Sequence, residues 1–183
     1  MPPSQEANAE RNEARRSDTA AALDEILAAS RHGYAPLVLV AGDPSPIASD
    51  ALRDLGKRRS TPVVNLSEAL AAALVEGKPR ERVRAVPEAV EAIAAGAARG
   101  WALLDHIELL FEPSLKRDAV AVLEQVSRRV PLVVAWPGEW DGRELRYARV
   151  HHPEHMPPRR PGGITVVRIG PDHRIAAGAE AAT

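Results

Sequence analysis

Apolar positions along the chain fall into two alternating patterns. Leu23, Ile26 and Leu27 recur at helical spacing, with Asp18 placed to cap the start and Gly33 to end the helix. Pro36 then opens PLVLVAG, a continuous apolar run of strand length, which predicts a strand buried on both faces. The alternation repeats. A short helix is expected over 49–57, a short strand over 62–66 and an alanine-rich helix over 67–76. The basic stretch GKPRERVRA (77–85) reads as an exposed loop, and a helix is expected over 88–99, after Pro87. WALLD (101–105) and PLVVAW (131–136) are two more fully apolar strands, separated by an amphipathic stretch from Ser114 to Arg129. ELRYARV (144–150) alternates more weakly, and GITVVRI (162–168) is the last strand candidate. Apolar strands alternating with helices predict an α/β domain over 18–170, with a mainly parallel sheet covered by helices on both faces. Residues 1–17 are polar after Met1 and read as a disordered tail, and 171–183 as a flexible one.

Composition narrows the function classes. The 183 residues carry 24 basic and 25 acidic side chains, so no global positive field points to nucleic acid. Aromatic residues are few (3 Trp, 2 Tyr, 1 Phe), which predicts an aliphatic core. With no cysteine, thiolate zinc sites and a cysteine nucleophile are excluded. No apolar run approaches the roughly 18 residues of a membrane span, and the opening segment lacks the apolar middle of a secretion signal. A soluble cytoplasmic protein without membrane contact is expected.

In a doubly wound sheet, ligands bind beyond the carboxyl ends of the strands, so three strand ends are candidate sites. The first is AGDPSPIAS (41–49). A buried strand, a glycine, a loop and then a helix form the context of the phosphate-binding pattern G-x-x-x-x-G-K-[ST]. Gly42 and Ser49 match, and Ser45 lies within the loop. Ile47 and Ala48 stand where the second glycine and the lysine belong. The lysine supplies positive charge to the phosphates, and the second glycine lets backbone N–H groups turn inward. Pro44 and Pro46 have no N–H to donate, and Asp43 adds negative charge. By residues alone this is an ordinary strand-to-helix connection. The second end is WALLDHIE (101–108), whose apolar strand ends in an aspartate. Asp105 is either a Mg²⁺-holding residue of Walker B type, with Glu108 as the nearby acid, or a plain turn residue. The third, VVAWPGEWDG (133–142), has two tryptophans; covering the sheet end is favoured over a stacking or protein-contact surface. His151, His152 and His155 sit in HHPEH, where Pro153 opposes helical ligand spacing, so a solvated loop is the preferred reading over a metal site. Two basic clusters, Arg53–Arg59 and Lys78–Arg84, read as solvated charge by default.

DHIELLFEPSLKRDAVAVLEQVSRR (105–129), followed by VVAWPGEWDGRELRYARVHHPEH (133–155), resembles the BrxF family, small P-loop proteins of type III bacteriophage exclusion (BREX) systems. The matching positions include Asp105, Ile107 to Phe111, Pro113 to Lys116, Trp136, Gly138, Tyr147, Ala148 and His152 to Glu154. VVNLSEAL (63–70) resembles the family's second strand and following helix, and the likeness covers roughly residues 20–156. It implies a P-loop NTPase-like, AAA-like three-layer sandwich in which the phosphate-loop and Walker B strands flank the strand carrying Trp136 and Pro137. It implies ATP and Mg²⁺ as ligands, with Gly42, Ser45 and Ser49 on the nucleotide, Ser49 and Asp105 on the metal, and Glu108 in a supporting catalytic role. As partners it implies other BREX proteins, DNA through them, and a homo-oligomer. Ile47 and Ala48 depart from the family's Gly-Lys, which implies impaired or lost hydrolysis, and His106 replaces an asparagine. Two alternatives stay open. One is a working ATPase of the same system, its missing charge supplied by Arg53, Lys57 or an arginine in trans. The other is a DNA-binding module, against which the near-zero net charge counts.

Overall fold

The computed structural model describes residues 5–176, so most of the segment expected as a C-terminal tail, 177–183, lies outside the described residues, as do 1–4. In chain order the elements are α1 (Gln5–Ser30), β1 (Leu37–Gly42), α2 (Pro46–Arg59), β2 (Val63–Asn65), α3 (Leu66–Leu74), α4 (Pro79–Ala97) and β3 (Ala102–Asp105). Two short 3-10 turns, Glu108–Phe111 and Pro113–Leu115, lead into α5 (Ala119–Ser127). Then come β4 (Leu132–Trp136), β5 (Glu139–Trp140), β6 (Leu145–Tyr147), β7 (Met156–Arg159) and β8 (Thr165–Ile169).

A five-stranded sheet runs in the order β2-β3-β4-β1-β8, with every pairing parallel. Side chains alternate across a strand, so β1 feeds two cores. Leu37, Leu39 and Ala41 pack with residues of α3, α4 and α5, while Val38 and Val40 pack with Leu23 and Leu27 of α1 and Leu52 and Leu55 of α2. Burial on both faces is why β1, β3 and β4 are continuous apolar runs rather than alternating ones. The expected α/β architecture is therefore present: a parallel sheet between two helical layers.

Five local features differ from the sequence reading. The helix expected from Asp18 starts at Gln5, inside the segment read as a disordered tail. Residues 5–17 are mostly Ala, Glu, Arg, Asn and Gln without Gly or Pro, and they carry helix propensity without an apolar stripe. Arg16 ties this part of α1 to Asp54 of α2 at 2.7 Å. At the other end, the segment after Pro171 turns back on β8: Gly170 N–H donates to Arg174 O, Ala176 N–H donates to Arg168 O, and Ile175 bridges Ile169.

The stretch read as a loop at 77–85 is the first half of α4, with Pro87 inside the helix. Proline removes the N–H that the Val83 carbonyl would otherwise accept. Arg117 supplies the replacement, donating from Nε to Val83 O at 2.9 Å. The helix expected from Ser114 instead starts at Ala119. Lys116 takes a left-handed φ of 48°, and the Asp118 carboxylate then caps α5 through Ala121 N–H.

The fifth feature is a second, antiparallel sheet, β5-β6-β7, on the α5 side of the central sheet. Only β6 was foreshadowed. Its neighbours are a two-residue strand and the polar MPPR, neither of which carries periodicity. Arg159 of β7 holds it to α5 through Asp118 and Glu124.

Candidate functional site

The loop after β1 turns toward the α2 layer, whereas the chain after β4 turns to the small sheet on the other face. Neighbouring parallel strands whose connections leave to opposite faces create a crevice at their carboxyl ends, the usual ligand position in open α/β sheets. Two clefts meet there. A smaller one of about 280 Å³ is lined by Ser45, Ser49, Asp105, His106, Glu108 and Arg53, among others. A larger one of about 1020 Å³ lies against the small sheet and includes Gly42, Asp43, Trp140, Arg146, Arg149 and Arg168. Ser45 and Pro137 border both.

Ser49 and Asp105 come from different elements, and their side chains meet. Ser49 Oγ, in the first turn of α2, donates to Asp105 Oδ1 at 2.9 Å. The same oxygen accepts the His106 N–H at 2.8 Å, and Asp105 is nearly buried. His106 adopts φ 50°, a left-handed conformation in which Asn is among the more tolerant side chains. The next turn is fastened to α3: Ser67 N–H donates to His106 O at 2.8 Å and Leu109 N–H to Ser67 Oγ at 3.0 Å. Glu108 lies in the same cleft, with an oxygen 3.9 Å from His106 Nδ1.

The loop preceding α2 is closed on itself. Asp43 N–H donates to Ile169 O, Ile47 N–H to Pro44 O and Ala48 N–H to Ser45 O. Pro44 and Pro46 have no N–H. Of positions 43–48, only Ser45 keeps an N–H without a backbone partner among the described residues. Ser45 itself leans across the cleft, its Oγ 3.4 Å from Pro137 O. Ile47 and Ala48 are 8% and 1% exposed and belong to the core around α2. Asp43 pairs with Arg168 of β8 at 2.7 Å. A serine hydroxyl beside an aspartate suits a Mg²⁺ that keeps most of its waters. The loop does not suit a triphosphate: most of its N–H groups are committed, its lysine position is a buried alanine, and the Arg168 guanidinium beside it is held by Asp43.

The tryptophans divide as the covering role predicts for the first of them. Trp136 is fully buried, with Nε1 donating to Arg146 O at 3.3 Å. Phe111 sits edge-on to it at 5.6 Å and stacks on Tyr147 at 3.8 Å. Trp140 is half-buried on the wall of the larger cleft. The three histidines lie in a turn, where His152 Nδ1 accepts the Glu154 N–H and the His155 ring bonds Ala148 O. The two basic clusters are not brought together. Arg53–Arg59 lies on α2 and Lys78–Arg84 at the start of α4, on opposite faces of the sheet.

Sequence reasoning missed Arg168, Arg146 and Arg149 in the larger cleft. Their one local signal is the parity of β8, where exposed Arg168 sits between buried Val167 and Ile169. No family model, curated protein or solved structure gives a significant match to the chain. Among the described residues, no helix is long and apolar enough to cross a membrane.

Burial pushes the Tyr147 phenol up to about 12, with the Glu154 charge and hydrogen bond adding to it. Its folded pKa lies above the ordinary value near 10, so the stability it contributes is complete below pH ~10 and falls away as pH rises through about 12. A phenolate absorbance titration of the protein, minus that of Tyr147→Phe, is expected to show a midpoint close to 12. A midpoint near 10 would mean the ring is open to water.

Proposed function

We propose that this chain is a P-loop-type α/β protein whose nucleotide site has closed, so that it works by holding partners rather than by hydrolysing ATP. The observation that carries this is the spent loop. A working phosphate loop presents several N–H groups and a lysine to one point. Here Asp43, Ile47 and Ala48 donate to carbonyls instead. The P-loop ancestry draws support from the strand order, in which β4 lies between β1 and β3, and from the Ser49–Asp105 contact.

The narrower reading is an accessory subunit of the BrxF kind in a type III BREX anti-phage system, engaging other proteins of that system and, through them, DNA. It rests on the sequence resemblance. Further support comes from where the resembling segments lie: Phe111 of the first and Trp136 and Tyr147 of the second share a single aromatic cluster. A working Mg²⁺-dependent ATPase is the second reading, favoured by the Ser49–Asp105 pair alone.

Calorimetry with ATP and ADP in the presence of Mg²⁺, beside an Asp105→Ala variant, separates the two. No heat of binding up to millimolar nucleotide is expected for either protein. Micromolar binding that Asp105→Ala abolishes would overturn the closed-site reading and make hydrolysis the next assay.

A further inference from the structure

The two basic clusters look alike in sequence and differ in the folded protein. On α2 every cation is matched: Arg53 with Asp50, Lys57 with Asp54, and Arg58 and Arg59 with Asp24. At the start of α4 none is. Lys78, Arg80, Arg82 and Arg84 are exposed, and among the described residues no carboxylate lies within ion-pair distance of any of them. Carboxylates nearby are turned to other work. Glu81 accepts the Lys78 N–H, and Glu112 accepts the Ser114 N–H. Asp118 caps α5 and pairs with Arg159.

Tertiary structure then enlarges the patch. Arg117 reaches Val83 O, which seats the exposed Lys116 and Arg117 beside the first turns of α4. Arg80 and Arg84 are one turn apart and share a helix face. Arg82 is fixed in place by donating to Gly77 O and Val75 O at 2.6 and 2.8 Å. Glu88, one turn past Arg84, closes the row. Six cations from two elements thus converge without a matching acid, in a protein whose net charge is −1.

We propose that this surface, Lys78 to Arg84 with Lys116 and Arg117, contacts the phosphodiester backbone of duplex DNA directly. Arginine and lysine without an ion-pair partner gain most from phosphate oxygens, because no ion pair has to be broken first. Residues 75–84 and 112–118 contain no aromatic side chain, so stacking on unpaired bases is not available and backbone contact is the mode that fits. No side chain here is positioned by a groove-reading element, so the contact is expected to be indifferent to sequence. The surface involves neither Ser49 nor Asp105, so it stands or falls independently of the closed nucleotide site.

Fluorescence anisotropy with a short labelled duplex tests this. Four phosphate contacts predict a roughly hundredfold loss of affinity between about 50 and 200 mM salt. Arg80→Glu/Arg84→Glu is expected to weaken binding more than about tenfold at low salt and to flatten the salt slope by about 2. Lys116→Glu, on the other element, should act in the same direction with a smaller change. Arg58→Glu, on the matched cluster, should leave affinity within about twofold, and far-UV circular dichroism checks that each variant is folded. The proposal is overturned if the full-length protein does not bind at about 50 mM salt, or if Arg58→Glu weakens binding as much as the α4 pair. It is also overturned if polyglutamate displaces the probe as well as unlabelled duplex does, since the surface would then fit an acidic protein.

Discussion

Replacing Gly138 with alanine is expected to destabilise the protein by about 3 kcal/mol, near the upper end of what an added methyl group does in a filled site. A Cβ at this position would lie 1.9 Å from the Arg146 carbonyl oxygen and 2.9 Å from Trp136 Nε1. Both neighbours are tied down. Arg146 O accepts the Trp136 indole N–H, and Arg146 belongs to β6 of the small sheet. The methyl group therefore cannot be absorbed by a swinging side chain. Either β6 lifts from the end of β4 or Trp136 leaves its pocket against Phe111. Urea unfolding followed by tryptophan fluorescence and by circular dichroism reads the change. A loss below about 1 kcal/mol would mean the small sheet is not seated on Gly138 as described.

The second large effect is expected at Gly42, for a reason that bears on function. Its φ is ordinary, so the backbone there does not demand glycine. Space does: a Cβ would meet Ala48 N at 2.5 Å, Pro44 O at 2.9 Å and Ser45 O at 3.0 Å. All three are backbone atoms of the closed loop. Gly42→Ala is expected to cost about 2 kcal/mol through forced opening of that turn, measured by the same unfolding experiment. An unchanged unfolding midpoint would show that the loop is looser than its hydrogen bonds indicate. Its N–H groups would then be available to a phosphate, and the ATPase reading would gain accordingly. Gly42 thus fits the first glycine of a phosphate loop by position while serving a turn whose N–H groups donate to its own carbonyls.

What the sequence shows most legibly are the strands at the centre of the sheet. Residues 37–42, 102–105 and 132–136 are apolar at nearly every position because both faces are covered, and no other element gives so plain a signal. Asp105 and Ser49 were also legible as a pair, since each stands at a strand-to-helix transition in a recognisable context. Other features resist reading because their determinants are far apart in the chain. Pro87 argues for a helix boundary unless Arg117, thirty positions later, is known to satisfy Val83. Asp43 reads as a negative obstacle in a phosphate loop until Arg168 is found beside it. The matched and unmatched basic clusters cannot be told apart without the Asp24 and Asp54 contacts. The small sheet escapes because strands of two to four residues have too few positions to show a period.

The position of β1 has a consequence for how the chain is made. It precedes every other strand in chain order, yet among the described residues it pairs only with β4 and β8, with Leu37 beside Leu132 and Val38 beside Thr165. Until those distant segments emerge, the most apolar strand of the protein has two open hydrogen-bonding edges. Closing such long loops is entropically slow, and an exposed apolar strand edge invites pairing between chains. A nascent chain stalled before Thr165 would leave one side of β1 unprotected. Synthesis of this protein is therefore expected to depend on chaperone cover for β1 over most of translation, and truncated products to aggregate rather than persist as partly folded species.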